Sequence, residues 1–253
     1  MKQKGKRGIL VGGGTVHESL LRTVLAAGYD LLMGIDGGGK PLVDLGYQPQ
    51  ILLGDFDSLP RTYRESLVTN GVELLTYQPE KDWTDLEIGL NYLLSRGYDE
   101  LLVFGALGGR LDHTLANLSL LYKVKQAGIE LVLIGDEQAV TLLSAQEKIR
   151  IFPFPDGHFS LLPFPSTARG VSICGAKYPL DKAILELGST RGVHNEFLAG
   201  PAEISLDSGS LLVIVEGLKD WPGKSSLFQR LPRSKEQETT FFPRNSKGRI
   251  LRN

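Results

Sequence analysis

The segment Leu101–Leu115 reads LLVFGALGGRLDHTL. Its four leading apolar residues predict a buried strand, and the glycines that follow predict a loop. The residues after the loop have helical spacing, so we expect a helix with Asp112 as its cap and Gly128 as its end. Its inward face should carry Leu115, Leu118, Leu121 and Tyr122. A strand, a loop and a helix in this order form the unit from which α/β folds are built.

The same unit recurs through the first half of the chain. Four more apolar runs, each followed by glycine or aspartate, predict strands at Gly8–Val11, Leu31–Ile35, Ile51–Leu53 and Leu131–Ile134. A helical pattern that opens on the capping box Thr84-x-x-Glu87 lies between two of these five strands. Strands that are apolar throughout are typical of sheets covered on both faces, so we predict an α/β fold: a mainly parallel sheet with helices on both faces.

The second half of the chain has a different pattern. Several prolines exclude long helices, and apolar residues alternate with polar ones in Val171–Cys174 and Ala202–Leu206. This alternation predicts strands with one buried face. The turn residues Asp207–Ser210 predict a hairpin that continues into Leu211–Val215.

The end of the chain is basic. Residues 221–253 contain eight lysines and arginines against two glutamates and show no apolar periodicity. Such a composition predicts disorder. We therefore expect an α/β domain at 1–145, a small all-β domain at 146–220 and a disordered tail at 221–253.

Composition narrows the class of protein. The chain has 253 residues and a formal net charge of −1, which gives no general attraction to nucleic acid or to membranes. No segment approaches the roughly 20 apolar residues that span a bilayer. The single cysteine, Cys174, excludes an internal disulfide and fits a reducing compartment. We expect a cytoplasmic protein with neither a membrane nor a nucleic-acid partner.

Acidic residues follow two of the predicted strands directly. Asp36 follows one strand, and Asp55, Asp57 and Ser58 follow the next. Ligands of open α/β sheets bind at the carboxyl ends of the strands, so these residues should share one edge. Two aspartates in a loop can bind one Mg²⁺, which completes its shell with water and phosphate oxygens. The alternative is a turn in which Asp57 or Ser58 caps the next helix.

We expect two further groups at the same edge. Asp85 stands in the first turn of the helix capped by Thr84, where a carboxylate suits the helix dipole. Gly108–Gly109 lets backbone N–H groups approach an anion, and Arg110 can bind phosphate with two hydrogen bonds. The alternative for this loop is a glycine-rich turn capped by Asp112. Together the groups predict a magnesium–polyphosphate site.

These segments together resemble the thiamine pyrophosphokinase (thiamine diphosphokinase) family. The resemblance runs from about Gly8 to Val215. It is carried by Asp36–Gly38, Gly54–Ser58, Lys81–Asp85 and Gly105–Asn117. It implies transfer of a diphosphate group from ATP to the hydroxyl of thiamine, with Mg²⁺ and release of AMP. It also implies an α/β ATP-binding domain followed by a β-sandwich that binds thiamine, in a homodimer.

The resemblance implies roles for single residues in the ATP site. The catalytic residues would be Asp55, Asp57, Asp85, Arg110 and Asp112, of which the three at 55, 57 and 85 would bind the metal. The other ATP-binding residues would be Asp36, Ser58, Thr84, Gly108, Gly109 and Asn117. One aspartate of this site would accept the proton of the hydroxyl group.

The substrate site is implied in the same way. Ser189–Glu196 resembles the segment that contacts the aminopyrimidine ring of thiamine, which makes His194 and Asn195 candidate substrate-binding residues. Asp36 would lie near the thiamine as well as the phosphates. Family members commonly have Ser-Asn where this chain has His194-Asn195, so this chain departs from the family at a contact with the substrate.

Several other functions stay open. The acceptor could be another hydroxymethyl heterocycle, such as a pterin, because His194 alters the substrate segment. A haloacid-dehalogenase-type phosphatase also has Asp-x-Asp after a strand, although Leu59 stands where that fold has threonine or valine. A glycosyltransferase could use Asp-x-Asp for a metal but would leave the other motifs without a role. A nucleotide sensor without catalysis would not need the full set of acidic residues.

Overall fold

The structure is a computed structural model that describes residues 5–56, 61–76, 82–145, 147–218, 227–232 and 239–241. The helices are α1 Glu18–Ala26, α2 Gly39–Asp44, α3 Arg61–Thr69, α4 Asp85–Ser95 and α5 Leu111–Gln126. The first eight strands are β1 Lys6–Val11, β2 Leu31–Ile35, β3 Ile51–Gly54, β4 Glu73–Thr76, β5 Tyr98–Phe104, β6 Glu130–Ile134, β7 Gln138–Ser144 and β8 Glu147–Ile151. The others are β9 His158–Pro163, β10 Ala168–Cys174, β11 Leu180–Leu185, β12 Asn195–Glu196, β13 Ala202–Ser205, β14 Ser210–Glu216, β15 Phe228–Pro232 and β16 Thr239–Phe241.

The chain divides into two compact units. The N-terminal unit comprises Met1–Leu21 and Tyr29–Asp136, and the C-terminal unit comprises Arg22–Gly28 and Glu137–Asn253. The sequence placed the change between domains at residue 145, whereas β7 already pairs with β14 of the C-terminal unit. Within the described part of the chain, no helix combines the length and the apolar character that crossing a membrane requires.

The N-terminal unit contains strands in the order β6-β5-β1-β2-β3-β4, and each of their pairings is parallel. The predicted α/β architecture is confirmed, and the five predicted strands are present. The sequence missed β4, because only two of its four residues are apolar and neither is fully buried. Chain order reverses between β1 and β5. Such a reversal leaves a crevice at the carboxyl ends of the strands, where open α/β sheets bind ligands.

Helix α4 begins and ends as its sequence predicts. Thr84 Oγ1 accepts a hydrogen bond from Glu87 N at 3.3 Å, and the chain leaves the helix through Gly97, whose φ is +73°. The Glu87 carboxylate does not complete a capping box, since it pairs with Lys123 Nζ at 2.7 Å. The helix packs closely on β2: a Cβ atom on Gly89 would lie 2.8 Å from Ile35 Cδ1.

Helix α5 buries only part of the face predicted: Leu121 is buried and Leu118 half-buried. Leu115 and Tyr122 were expected to point inward, but they are 56% and 36% exposed. Asp112 was expected to precede the helix as its cap and instead lies within its first turn. The buried Asn117 fixes the rotation of the helix, because its Nδ2 donates to Ala106 O at 2.8 Å. The buried residues of the helix are Asn117, Leu120, Leu121 and Val124.

The C-terminal unit is rich in antiparallel strands, as the alternating pattern predicted. Its strands fall in the orders β12-β9-β14-β7 and β11-β10-β13-β8-β15-β16. The predicted hairpin between β13 and β14 is wrong, because β13 pairs with β8 and β10 while β14 pairs with β7 and β9. Asp207 N and Ser208 N both donate to Arg169 O. The turn therefore does not close a hairpin but connects β13 to β14, which belong to the two different sets of strands.

The prediction of disorder beyond residue 221 is wrong for Phe228–Pro232. This segment forms β15 and pairs antiparallel with β8. Arg230 in its centre is 5% exposed, with Nη1 2.9 Å from Glu147 Oε2 and Nη2 3.0 Å from Thr141 Oγ1. A short strand around a buried arginine has too little apolar periodicity to be recognised from sequence.

Candidate functional site

The glycine-rich loops after β1, β2 and β5 meet at the point where the strand order reverses, between β1 and β5. Gly12 N, after β1, donates to Phe104 O at 2.8 Å, and Gly14 N donates to Gly105 O at 3.2 Å. The loops after β1 and β5 are therefore joined backbone to backbone. The loop after β2 approaches as closely, because a side chain on Gly38 would overlap the carbonyl oxygen of Val11. At this edge the three loops thus approach one another through their main chains.

Replacing Gly38 by alanine should destabilise the protein by roughly 3 kcal/mol, the upper end of the cost of overpacking. The φ of Gly38 is −67°, which alanine adopts readily, so the cost comes from the overlap with Val11. Urea unfolding measures it. Gly108→Ala is the matched control: Gly108 has φ of +89° and open space around it, so its cost should be about 1 kcal/mol. Equal stability of the two variants would contradict this packing.

Two predicted acidic residues follow neighbouring strands at this edge. Asp36 follows β2 with φ of +48°, and its Oδ1 occupies the space that a side chain on Gly54 would need. Asp36 is therefore adjacent to the end of β3, from which the exposed Asp55 continues. Phe56, with φ of +60°, is buried and anchors this loop. It packs in a cluster with Leu52, Leu67 and Val72.

The other predicted metal ligands are less completely described. Asp57 and Ser58 lie outside the described residues. Asp85 is half-buried in the first turn of α4, on the same edge, because α4 begins after the carboxyl end of β4. In the ranges that the structure describes, no three acidic, histidine or cysteine side chains form a metal-binding group. A metal site at Asp55, Asp57 and Asp85 stays a prediction, supported by carboxylate oxygens that suit Mg²⁺.

Arg110 and Asp112 form a bidentate ion pair at the start of α5. Arg110 Nη2 lies 2.6 Å from Asp112 Oδ2, and Nε lies 3.1 Å from Oδ1. The hydrogen bonds from Arg110 and then from His113 N lower the pKa of Asp112 to about 2. Asp112 is therefore ionised at neutral pH and a poor proton acceptor. It orients Arg110, whose side chain is 73% exposed.

The glycine loop after β5 is anchored from α5. Asn117 Nδ2 holds Ala106 O, and Thr114 Oγ1 donates to Arg110 O at 3.1 Å. Between these anchors, Gly108 and Gly109 are exposed and left-handed, with φ of +89° and +70°. The structure thus gives Asn117 a contact that positions the loop. Its predicted contact with ATP stays a prediction.

The substrate segment predicted in the C-terminal unit lines a groove of about 460 Å³. Asn195 is only 5% exposed; its Nδ2 donates to Tyr178 O at 2.8 Å and its Oδ1 accepts from Tyr178 N at 3.0 Å. Asn195 therefore fixes the segment in place, and its contact with substrate stays a prediction. The groove is lined by Ile173, Tyr178, Leu180, Arg191, Gly192, Val193, His194 and Asn195.

His194 is held in an uncommon conformation. Its φ is +57°, and its N–H donates to Ser160 Oγ at 2.9 Å. Its ring lies 4.5 Å, centroid to centroid, from the ring of His158, whose Nε2 is 3.1 Å from Glu216 Oε2. Sequence reasoning missed His158 and Glu216, because antiparallel pairing of distant segments leaves no local signal.

Comparisons with known proteins agree with both units. The chain matches the family model "Thiamin pyrophosphokinase, catalytic domain" at residues 23–133 and "Thiamin pyrophosphokinase, vitamin B1 binding domain" at residues 147–211. It is 33% identical to thiamine pyrophosphokinase of Bacillus subtilis (strain 168) over 186 residues, 74% of this chain and 87% of that protein. It is 28% identical to thiamine pyrophosphokinase 1 of Oryza sativa subsp. japonica, with 68% of each chain covered.

Solved structures give the same result. The crystal structure of Bacillus subtilis thiamine pyrophosphokinase matches with a TM-score of 0.74 and 28% identity, over 84% of this chain and 99% of that chain. Yeast thiamin pyrophosphokinase shares the fold, with a TM-score of 0.71 at 16% identity, over 87% of this chain and 90% of that one. The resemblance read from the acidic and glycine-rich segments is thereby confirmed, and this chain belongs to the thiamin pyrophosphokinase family.

Proposed function

We infer that the protein is a thiamine pyrophosphokinase, an enzyme that transfers a diphosphate group from ATP to the hydroxyl of thiamine and releases AMP. The similarity to the Bacillus subtilis enzyme, over 87% of its length, carries this conclusion. All the residues that line the groove of the C-terminal unit lie within the segment that matches the vitamin B1 binding domain. A pterin acceptor and an Asp-x-Asp phosphatase are not favoured, since neither would need this domain.

The phosphates of ATP would bind at the edge where the glycine loops meet. Gly108 and Gly109 are exposed just before a helix, and backbone N–H groups at such a position favour an anion. Arg110 would bind a phosphate oxygen and stabilise the charge that develops during transfer. Its pairing with Asp112 keeps the guanidinium oriented and raises its pKa, so it stays charged throughout the reaction.

Mg²⁺ would be held by Asp55, Asp57 and Asp85. When bound, the ion offsets the negative charge of the polyphosphate. The remaining chemistry is an in-line attack of the thiamine hydroxyl on the β-phosphorus of ATP. An aspartate accepts the proton of that hydroxyl, and Asp112 is a poor candidate because its pKa is about 2. Positioning and electrostatics supply most of the acceleration in phosphoryl transfer.

The thiamine site, the β-sandwich architecture and the homodimer are parts of the same proposal. The C-terminal unit exposes several large apolar side chains, which a homodimer interface would cover. They are Tyr178, Ile184, Leu187, Val193 and Leu198. The cytoplasm as its compartment rests on the single, unpaired Cys174.

Incubation with Mg²⁺ and ATP, with and without thiamine, tests the proposed function. We expect AMP only when thiamine is present, in an amount equal to the thiamine diphosphate formed. A hydroxymethylpterin in place of thiamine should give no AMP. Chromatography separates the nucleotides. ADP with thiamine monophosphate, or inorganic phosphate released without any acceptor, would contradict diphosphate transfer to thiamine.

A further inference from the structure

Helix α5 has a second apolar face besides the one that it buries. This face, the outer stripe, consists of Leu111, Leu115, Leu118 and Tyr122. Leu111 is 71% and Leu115 56% exposed, Tyr122 is 36% exposed, and Leu118 is half-buried. With 3.6 residues per turn, the four side chains lie within about 60° of one another around the helix axis, roughly 140° from the centre of the buried face. The outer stripe therefore points away from the core of its own unit.

The outer stripe has the spacing of a coiled-coil seam. Its residues follow one another at intervals of four, three and four positions, which are the intervals between the a and d positions of a heptad repeat. The row runs along about three turns and is roughly 16 Å long. Single exposed leucines are normal on a protein surface, whereas a continuous apolar row marks a surface that packs against another helix.

The order of residues in the outer stripe matches a second copy of the same helix. The intervals of four, three and four read the same from either end. A twofold axis at the centre of the stripe therefore places Leu111 opposite Tyr122 of the second copy, and Leu115 opposite Leu118 of the second copy. Such a pairing is reciprocal, as the interface of a twofold-symmetric dimer requires. Each apolar side chain then meets an apolar side chain.

The charges at the ends of α5 favour an antiparallel arrangement. The first turn contains the acidic Asp112, and the last turn contains the basic Lys123 and Lys125. An antiparallel neighbour brings its basic last turn beside this acidic first turn, whereas a parallel neighbour brings like charges together. Each of these three groups also has an ion-pair partner within its own copy, so two such faces approach without strong repulsion.

We propose that two copies of this chain associate through the outer stripes of their α5 helices, packed antiparallel about a twofold axis. The proposal rests on the homodimer of the proposed function and names the surface through which it forms. Leu111 directly follows Arg110 in the chain. The interface therefore adjoins the candidate ATP site of each copy.

Sedimentation of the full chain over a range of concentrations tests the surface. The wild type should have twice the mass of one chain. Leu115→Glu should raise the dissociation constant of the dimer at least about a hundredfold, because it places an unpaired charge in the centre of the seam. Circular dichroism should show a folded protein, since Leu115 is exposed. Val68→Glu is the control: it changes a 51% exposed residue of α3 in the same way and should keep the dissociation constant.

Disulfide formation tests the direction of the helices. Leu111→Cys and Tyr122→Cys are each made in a Cys174→Ser background, so that every chain has one thiol. In the antiparallel pair, identical positions are roughly 16 Å apart along the axis, too far for a disulfide. Each variant alone should therefore stay unlinked on mild oxidation. A mixture of the two should give a linked pair with one chain of each kind, seen by mass spectrometry.

Three outcomes would overturn the proposal. A folded Leu115→Glu variant that dimerises like the wild type would show that the homodimer forms elsewhere, for example through the apolar residues of the C-terminal unit. A mixture that links no better than its separate components would exclude the antiparallel register. A monomeric wild type would remove the homodimer as well. Catalysis is a separate readout: if no AMP forms but the masses and disulfides are as expected, the proposed function fails and the pairing of α5 stands.

Discussion

Replacing Asp55 by asparagine will lower the rate of AMP formation about a thousandfold while the protein stays folded. Asp55 is exposed at the carboxyl end of β3, where Gly54 lies against Asp36, and its loop is anchored by the buried Phe56. The substitution removes a negative charge but keeps the shape of the side chain. Loss of a group that stabilises charge in the transition state typically costs a factor of 10²–10³. Single-turnover rates at saturating ATP and thiamine measure the effect.

A matched substitution near the amino ends of the strands controls for the change in net charge. Asp99 is exposed near the amino end of β5, away from the carboxyl ends of the strands. Asp99→Asn should retain the wild-type rate. Raised Mg²⁺ should partly restore Asp55→Asn if the lost group binds the metal. A rate within about threefold of the wild type for Asp55→Asn would contradict the proposed ATP site.

Replacing Arg230 by methionine will destabilise the C-terminal unit by about 3 kcal/mol, as expected when one partner of a buried ion pair is removed. Methionine has a similar length but cannot donate hydrogen bonds. Glu147, Thr141 Oγ1 and the carbonyl of Leu142 then lose a partner inside the protein. Urea unfolding followed by fluorescence measures the loss, and a lower midpoint with an unchanged slope is expected.

Arg169→Met is the appropriate comparison, because Arg169 is exposed and its hydrogen bonds to the turn at Asp207 and Ser208 are made by its backbone. Its stability should change by less than about 0.5 kcal/mol. If Arg230→Met is as stable as Arg169→Met, β15 is not an integral strand of this unit. The segment 227–232 would then be dispensable for folding, as the basic composition of the tail originally suggested.

The edge that carries the candidate ATP site was predictable because its signals are local. An apolar run followed by glycine or aspartate marks the end of a buried strand, and the carboxyl ends of parallel strands share one edge. Asp36 and Asp55 were expected to share this edge, and the structure places Asp36 against Gly54, the residue before Asp55. The close approach of Gly38 to Val11 could not be foreseen, because it depends on how two loops far apart in sequence pack.

The errors have physical reasons as well. Helix α5 has leucines on more than one face, so its apolar pattern does not define which face is buried. Asn117 determines which face is buried, because its side chain makes a tertiary hydrogen bond to Ala106. In the C-terminal unit, the turn after β13 resembles that of a hairpin, yet its N–H groups bind Arg169. The His158–Glu216 contact depends on the register of β9 against β14, which the sequence does not display.

One measurement tests the transfer of an intact diphosphate most directly. The protein is incubated with Mg²⁺, thiamine and ATP that carries a radioactive label on its β-phosphate, and the products are separated by chromatography. Diphosphate transfer predicts that the label moves to thiamine diphosphate and that the AMP formed is unlabelled. Label found in ADP, together with thiamine monophosphate, would show transfer of a single phosphate and would contradict the proposed reaction.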